Sequence, residues 1–437
     1  MEQFEIIGGK KLKGAVTVNS SKNAAVALLM ASLINKGKTT LKNVPQIEEV
    51  NRLVEVLKSI GVKISAKGRN LEITSPEKIE IGKINRTSAK KTRSIVLMIG
   101  ALAGKLKNYT IPQCGGCRLG SRTVVPHFMA LKNLGLIIST NSKGFRVNSK
   151  KLKPAEKIVL YETGDTATEN ALLAAAQAKG KTTIKLASAN YMVQDLCFLL
   201  EKMGVKIKGI GTGTLEVYGM RNIKKDVVYK ISEDPIEAMF FLSIAATCQA
   251  NLKVKRCPID FLDLELLKLS KMGLRYKIVR RYASGNGKTK LADIVTWPSK
   301  LVALEDKIHP LPSAGINIDN LPFFVPIACV ARGKTLIHDW VYENRAIYFT
   351  ELNKLGARVT LLDTHRVNIE GPAKLKGSKI LCPPALRPAA IILVAMLAAK
   401  GKSILKGVYP INRGYENLEE RLKKIGADIK FFSNNEK

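Results

Sequence analysis

The segment IPQCGGCRLGSR, Ile111 to Arg122, sets two thiols either side of two glycines and follows them with two arginines. Three chemistries fit Cys114 and Cys117 at that spacing: half of a zinc site, a redox pair, or one working thiol beside an incidental neighbour. Tetrahedral zinc needs a second pair of thiolate or imidazole ligands. No second C-x-x-C follows, and His127, His309, His338 and His365 are scattered along the chain. A redox pair belongs at a helix start in a βαβ setting, which this glycine-rich loop does not supply. A single reactive thiol is plausible electrostatically, since Arg118 and Arg122 would lower its pKa and favour the thiolate. Local sequence leaves the choice open.

Other chemistry-bearing residues stand at helix starts. In VNSSKNAAVALLM, Lys22 and Asn23 enter a long apolar run, where backbone N–H groups favour an anion and Lys22 adds a full charge. An N-cap followed by a solvated lysine explains the same letters. EDPIEAMFF, INIDNLPFF and PPALRPAAI place Asp234, Asp319 and Arg387 at related helix entries. Ordinary capping accounts for an Asp there as well as catalysis does. An Arg opposes the helix dipole unless an anion sits beside it, and KKTRSIVLM repeats that oddity at Arg93. Two tempting motifs fail. SGNGKTK has Tyr282 where a phosphate loop needs its first glycine, and GIGTGT lacks the third glycine of a dinucleotide fingerprint. Both read as hairpin turns.

The elements that must position these residues repeat. KGKTTLKNVPQIEEVNRLVEVLKSIGVKI (36–64) returns as KGKTTIKLASANYMVQDLCFLLEKMGVKI (179–207), again at 332–359 and 400–429, and more weakly at 107–138 and 251–278. The shared glycines Gly61, Gly135, Gly204, Gly273, Gly356 and Gly426 are 74, 69, 69, 83 and 70 residues apart, so six units fill the chain. Each unit reads as an apolar helix with a glycine C-cap, a short strand and a variable loop. An amphipathic helix follows, with Val50, Leu53, Val54 and Leu57 as the first apolar stripe, and a hairpin closes the unit. Strands alternating with helices give an α/β protein. Six units divide into two domains of three: 22–232, carrying the cysteine loop, and 1–21 with 233–437. A cleft between two such domains is the expected ligand site.

At 437 residues and 46% hydrophobic content, the chain is long enough for these domains to bury their own cores. No secretory signal is visible in its first residues, and the apolar runs of about a dozen residues are too short for the ~20 that span a bilayer. A cytoplasmic protein without membrane insertion is expected. Seven cysteines, an odd number, do not suggest a disulfide framework. The formal charge of +35 comes from 71 Lys and Arg against 36 Asp and Glu. The lysines are spread along the whole chain, so no specific nucleic-acid partner is expected, although non-specific binding at low salt is.

SKNAA (21–25), GGCRLGSR (115–122), ATEN (167–170), YENRA (342–346) and NRGYENLEERLKKIGA (412–427) together resemble the UDP-N-acetylglucosamine 1-carboxyvinyltransferase family of enolpyruvyl transferases, over nearly the whole chain. The related shikimate-pathway synthase shares the six-unit fold but has a different motif at the first helix and no loop cysteine. The resemblance implies a two-domain inverse α/β barrel with phosphoenolpyruvate and a UDP-sugar in the interdomain cleft, and neither metal nor cofactor. It implies that Cys117 is the proton donor, Asp319 the base, and Lys22 and Arg413 further catalytic groups. Lys22, Asn23, Arg93, Arg122, Arg387 and Arg413 would hold phosphoenolpyruvate. The UDP-sugar would meet Asn23, Arg93, Arg122, the run Thr123, Val124, Val125, Pro126 and His127, the run Thr163, Gly164, Asp165 and Thr166, and Asp319, Val341 and Tyr342. Cys114 would be incidental.

Some positions depart from that pattern. Val125 and Ala385 stand where the family has aspartates, ETGDTATEN differs at Asp165 and Thr166, and SANYMVQD lacks the family's glutamates. The losses fall mainly on the nucleotide side. Two rival readings are a paralogue with another hydroxyl acceptor and a non-catalytic basic module on the same fold. The latter predicts salt-dependent polynucleotide binding and indifference to Cys117.

Overall fold

The computed structural model describes residues 2–115, 123–312 and 315–433. Cys117, Arg118 and Arg122 lie outside the described residues. The chain forms two compact units, one from residues 20–115 and 123–232, the other from 2–19 and 233–433.

Each unit puts its most apolar helices inside. Every residue of the Pro235–Thr247 helix is buried, as a helix without a polar face must be. Asp234 caps it, accepting the Ile236 N–H at 2.8 Å, with Pro235 at the first helical position. In the other unit Lys22–Ala31 is buried from Ala24 onward, and Ser21 Oγ accepts the Ala24 N–H at 3.1 Å. Sheets of three or four strands lie outside these helices. Their strands alternate: Leu71 and Ile73 are buried within Asn70–Thr74, while Glu72 and Thr74 are exposed. Helices within and sheets without make an inverse α/β barrel.

The six shared glycines all carry a left-handed backbone, with φ between 87° and 101°. A side chain there meets its own carbonyl, so glycine ends the amphipathic helix and turns the chain into the next strand. Along Glu48–Ser59 the buried residues are Val50, Leu53, Val56 and Leu57. Val56, three residues beyond Leu53, takes the place expected of Val54, which lies at the edge of the stripe. In the fifth unit the corresponding segment, Ala346–Leu355, is a 3-10 helix. Its Ile347-Tyr348-Phe349-Thr350 run lacks the straight-chain residues that favour the α form.

Among the described residues the sixth unit has no hairpin of its own. Asp428–Phe432 pairs antiparallel with Gln3–Gly8, which also pairs with Gly401–Lys406, so the first strand of the chain completes the last unit. The two glycine motifs do lie in hairpins. SGNGKTK joins the antiparallel strands Arg275–Ala283 and Lys290–Trp297, and GIGTGT joins Lys206–Lys208 to Thr214–Gly219. Among the described residues, no helix is long and apolar enough to cross a membrane.

Candidate active site

In the unit that includes 233–433, two expected residues meet. Asp319 sits just before a 3-10 turn, Leu321–Phe323, and Arg387 lies in the first turn of the Leu386–Ala398 helix. The Arg387 guanidinium donates to Asp319 Oδ2 at 3.3 Å and to the Tyr415 hydroxyl at 3.1 Å. That helix begins at Ala385, which is fully buried and offers no side-chain cap. Its first N–H groups and Arg387, only 8% exposed, therefore put positive charge at one spot. Burial drives the Tyr415 hydroxyl well above its ordinary pKa, so it stays a neutral acceptor for Arg387.

A third residue completes this cluster, and its role was not read from the sequence. Arg345 is 1% exposed and forks onto Asp339, with Nε to Oδ2 at 2.5 Å and one terminal nitrogen to Oδ1 at 3.0 Å. The same nitrogen donates to the Ile318 carbonyl at 2.8 Å, and the other stands 3.8 Å from Asp319 Oδ1. Arg345 thus anchors the backbone just before the expected base and lies within ion-pair range of its carboxylate. Tyr342 lies against it, with the guanidinium carbon 4.3 Å from the ring centroid. YENRA carried this arginine, but its partner Asp339 lies in the strand-to-turn segment before it, and pairing is not visible in spacing. Val341 and Arg413 are half-buried, the latter at the end of the short Tyr409–Asn412 helix.

The unit that includes Lys22 gathers a second set. Lys22 Nζ is 3.1 Å from Glu49 Oε2 in a largely covered pair, and Thr92 and Ser94 hydroxyls donate to Glu49 Oε1 at 3.2 and 3.3 Å. Glu49 carries no signal of this role in the sequence: it stands in the first turn of the Glu48–Ser59 helix, where an acidic residue is ordinary. It links Lys22 to the turn that bears Arg93. The Asn23 amide and Ser21 hydroxyl donate to Tyr191 Oη at 3.3 and 3.2 Å. Arg93 donates to the Thr123 carbonyl at 3.0 Å, and the Thr123 hydroxyl accepts the Val125 N–H at 3.1 Å.

His127 is 3% exposed, near the start of the Val125–Asn133 helix, where Pro126 occupies the first turn. Its Nε2 lies 3.4 Å from the Thr166 hydroxyl, which joins the 123–127 and 163–166 segments in one place. Gly164 is the N-cap of the Asp165–Gln177 helix, and its carbonyl accepts the Thr168 hydroxyl at 2.8 Å. Thr163 beside it is half-buried. Asp165 accepts from Ser188 Oγ at 2.6 Å and Asn190 Nδ2 at 3.2 Å. One turn on, Glu169 is fully enclosed and one of its oxygens has no partner among the described residues. Burial, and then the Asp165 charge, raise its pKa well above the carboxylate range. Val125 is 48% exposed, with no carboxylate at that position.

Burial also separates the thiols. It pushes Cys248, Cys329 and Cys382 up to about 12, and Cys197 and Cys257 further up. These five are inert as acids or nucleophiles near neutrality. Cys114, in the loop, is only half-buried.

The profile of the EPSP synthase (3-phosphoshikimate 1-carboxyvinyltransferase) family matches residues 6–422. Curated relatives named UDP-N-acetylglucosamine 1-carboxyvinyltransferase include one from Treponema denticola, 33% identical and covering 98% of this chain and 99% of its own. Another, from Endomicrobium trichonymphae, is 33% identical over 99% of this chain and 100% of its own.

The chain belongs to the enolpyruvyl transferase family.

Two solved structures share its fold. The enolpyruvyl transferase NikO from Streptomyces tendae superposes with a TM-score of 0.84 at 23% identity, covering 99% of each chain. EPSP synthase from Acinetobacter baumannii superposes with a TM-score of 0.77 at 20% identity, over 99% of this chain and 100% of that one. Membership makes the chain an enzyme.

Proposed function

We propose that this enzyme transfers the enolpyruvyl group of phosphoenolpyruvate to the 3′-hydroxyl of UDP-N-acetylglucosamine, releasing phosphate, as the opening step of peptidoglycan precursor synthesis. The observation that carries the reading is the Asp319–Arg387 pair at a helix start without a side-chain cap. A base held beside concentrated positive charge suits a hydroxyl that must be deprotonated as it meets an anion. The relatives' printed names support the acceptor.

On this reading, the sugar oxygen bonds to C2 of phosphoenolpyruvate while Asp319 takes the hydroxyl proton. The double-bond electrons accept a proton at C3 from the Cys117 thiol. A proton then leaves the C3 methyl group and the C–O bond to phosphate breaks, restoring the double bond in the enolpyruvyl ether. A thiol with an ordinary pKa of ~8.5 is a usable acid near neutrality. Lys22, Asn23, Arg93, Arg122, Arg387 and Arg413 surround the carboxylate and phosphate, where guanidinium forks fit better than ammonium points. Asn23, Arg93 and Arg122, residues 123–127 and 163–166, and Asp319, Val341 and Tyr342 receive the nucleotide sugar.

One observation favours a second reading, transfer to a different hydroxyl acceptor. Val125 leaves the nucleotide side without a carboxylate at that position, and the Asp165 carboxylate is already engaged by Ser188 and Asn190. Phosphate release from phosphoenolpyruvate should be compared with UDP-N-acetylglucosamine, UDP-glucose and 3-phosphoshikimate as acceptors. The proposal requires the first to be turned over at least tenfold better than the others. Equal or better turnover of another acceptor would replace it.

A further inference from the structure

Asn170, in the ATEN segment, is fully buried and makes three contacts, two to the segment that continues from Arg93 and one to His127. Its Oδ1 accepts the Gly100 N–H at 2.7 Å, which fixes the amide orientation. Nδ2 is then the donor, to the Val96 carbonyl at 3.0 Å and to His127 Nδ1 at 3.2 Å. Val96 belongs to the 3-10 turn Arg93–Leu97, so the amide reaches the turn that presents Arg93.

The donor assignment settles the state of the imidazole. An amide N–H pointed at Nδ1 needs a lone pair there, so the ring proton resides on Nε2. Nε2–H then faces the Thr166 hydroxyl. That hydroxyl accepts from histidine, which leaves its own proton free to point elsewhere. The contact at Gly100 is also built for close approach: a Cβ at that position would lie 2.3 Å from the Asn170 carbonyl oxygen and 2.4 Å from Oδ1. Seven residues along the same helix, Gln177 repeats the clamp, accepting the Gly104 N–H at 3.1 Å and donating to the Gly100 carbonyl at 2.9 Å. Two amides on one helix face thus hold the segment that continues from Arg93.

We propose that Asn170 is a positioning residue for the nucleotide-sugar side: it holds His127 as the neutral Nε2–H tautomer and, through Thr166, sets the hydrogen-bonding polarity that the 123–127 and 163–166 segments offer the acceptor. The inference rests on the assignment of those segments to the UDP-sugar. Ionisable groups on the elements around His127 are Arg93, Asp165, Glu169 and Lys157, with Lys132 on its own helix. Asn170→Asp replaces the donor with an acceptor of nearly the same shape. The carboxylate draws a proton onto Nδ1, giving either the opposite tautomer or an imidazolium whose ionisation moves to higher pH.

The tautomer is read first, in the wild-type protein, by nitrogen-15 NMR of labelled histidines, with His127→Gln assigning the signal. The expected spectrum has Nε2 protonated and Nδ1 bare near neutrality. Asn170→Asp should shift the proton to Nδ1 and raise KM for UDP-N-acetylglucosamine about tenfold or more, the scale of one buried hydrogen bond. KM for phosphoenolpyruvate should change less than threefold. A wild-type imidazole protonated on Nδ1 would overturn the inference without any variant. So would a folded Asn170→Asp protein whose tautomer and sugar KM are unaltered. Failure of the wild type to bind UDP-N-acetylglucosamine would instead sink the acceptor assignment, while the NMR result still decides what Asn170 does to His127.

Discussion

Arg345 allows a quantitative test of how the Asp319 region is held. Its guanidinium and Asp339 form a bidentate pair with both side chains 1% exposed or less. Removing one member of such a pair leaves an uncompensated buried charge and costs about 3–5 kcal/mol. Folded domains are stable by only about 5–15 kcal/mol, so Arg345→Ala removes a large share of the total. The double variant Arg345→Ala with Asp339→Ala removes the orphan carboxylate as well. It should be more stable than Arg345→Ala alone by at least ~1 kcal/mol, although it has lost more native contacts. The protein reports this conveniently, because its two tryptophans, Trp297 and Trp340, both belong to the unit that includes 233–433. Urea unfolding followed by tryptophan fluorescence therefore monitors the right unit. Both variants should also lose turnover, since Asp319 loses its contact at 3.8 Å and Ile318 its anchor at 2.8 Å. A single variant that costs less than 1 kcal/mol, or a double variant less stable than the single by a full additive increment, would refute the reasoning.

Three further outcomes are expected. Cys117→Ser should reduce turnover at least a hundredfold near neutral pH while Cys114→Ser stays within a few-fold; equal effects in the phosphate-release assay would remove the division of roles. Glu169 has a folded pKa raised above its unfolded value, so the unfolded chain binds fewer protons above pH ~4.5 and this residue's contribution falls as pH rises. Glu169→Gln should therefore gain stability relative to wild type as pH rises above about 5, and thermal melts showing a constant difference would contradict that. Lys105, near the Ser75 hydroxyl, is lowered to about 8, chiefly by burial and then by Lys36. There the unfolded chain binds more protons, so stability should rise between about pH 8 and 10 by ~1 kcal/mol after solvent screening, and Lys105→Met should flatten that rise.

The repeat was legible because a local rule enforces it. A helix that must end in a left-handed residue needs glycine at that position, and the six glycines at φ 87° to 101° are the letters that aligned the units. Apolar runs such as Pro235–Thr247 announced the inner helices for the same kind of reason, since nothing in them tolerates water. Pairings across long sequence distances were not legible. The last strand pairs with Gln3–Gly8 more than 400 residues away, and no local pattern distinguishes that partner from a missing hairpin. The site divides similarly. Arg93 and Arg387 stood out because a cation at a helix start is locally unfavourable. Arg345, Glu49 and Asn170 did not, because each owes its role to a partner on another element: Asp319, Lys22 and His127. The positions where Val125 and Ala385 replace family carboxylates were visible as letters, but only the fold placed Ala385, fully buried, at the cap of the Arg387 helix.

The proposed chemistry is addition of a sugar hydroxyl to phosphoenolpyruvate with protonation at C3, followed by loss of phosphate. The most direct measurement is the reaction of phosphoenolpyruvate with UDP-N-acetylglucosamine in deuterated water, with phosphate assay and mass spectrometry of the sugar product. Phosphate release should depend on the sugar, and the methylene carbon of the enolpyruvyl ether should carry solvent deuterium. Phosphate released without the sugar, no enolpyruvyl sugar at all, or an ether free of deuterium would rule this chemistry out.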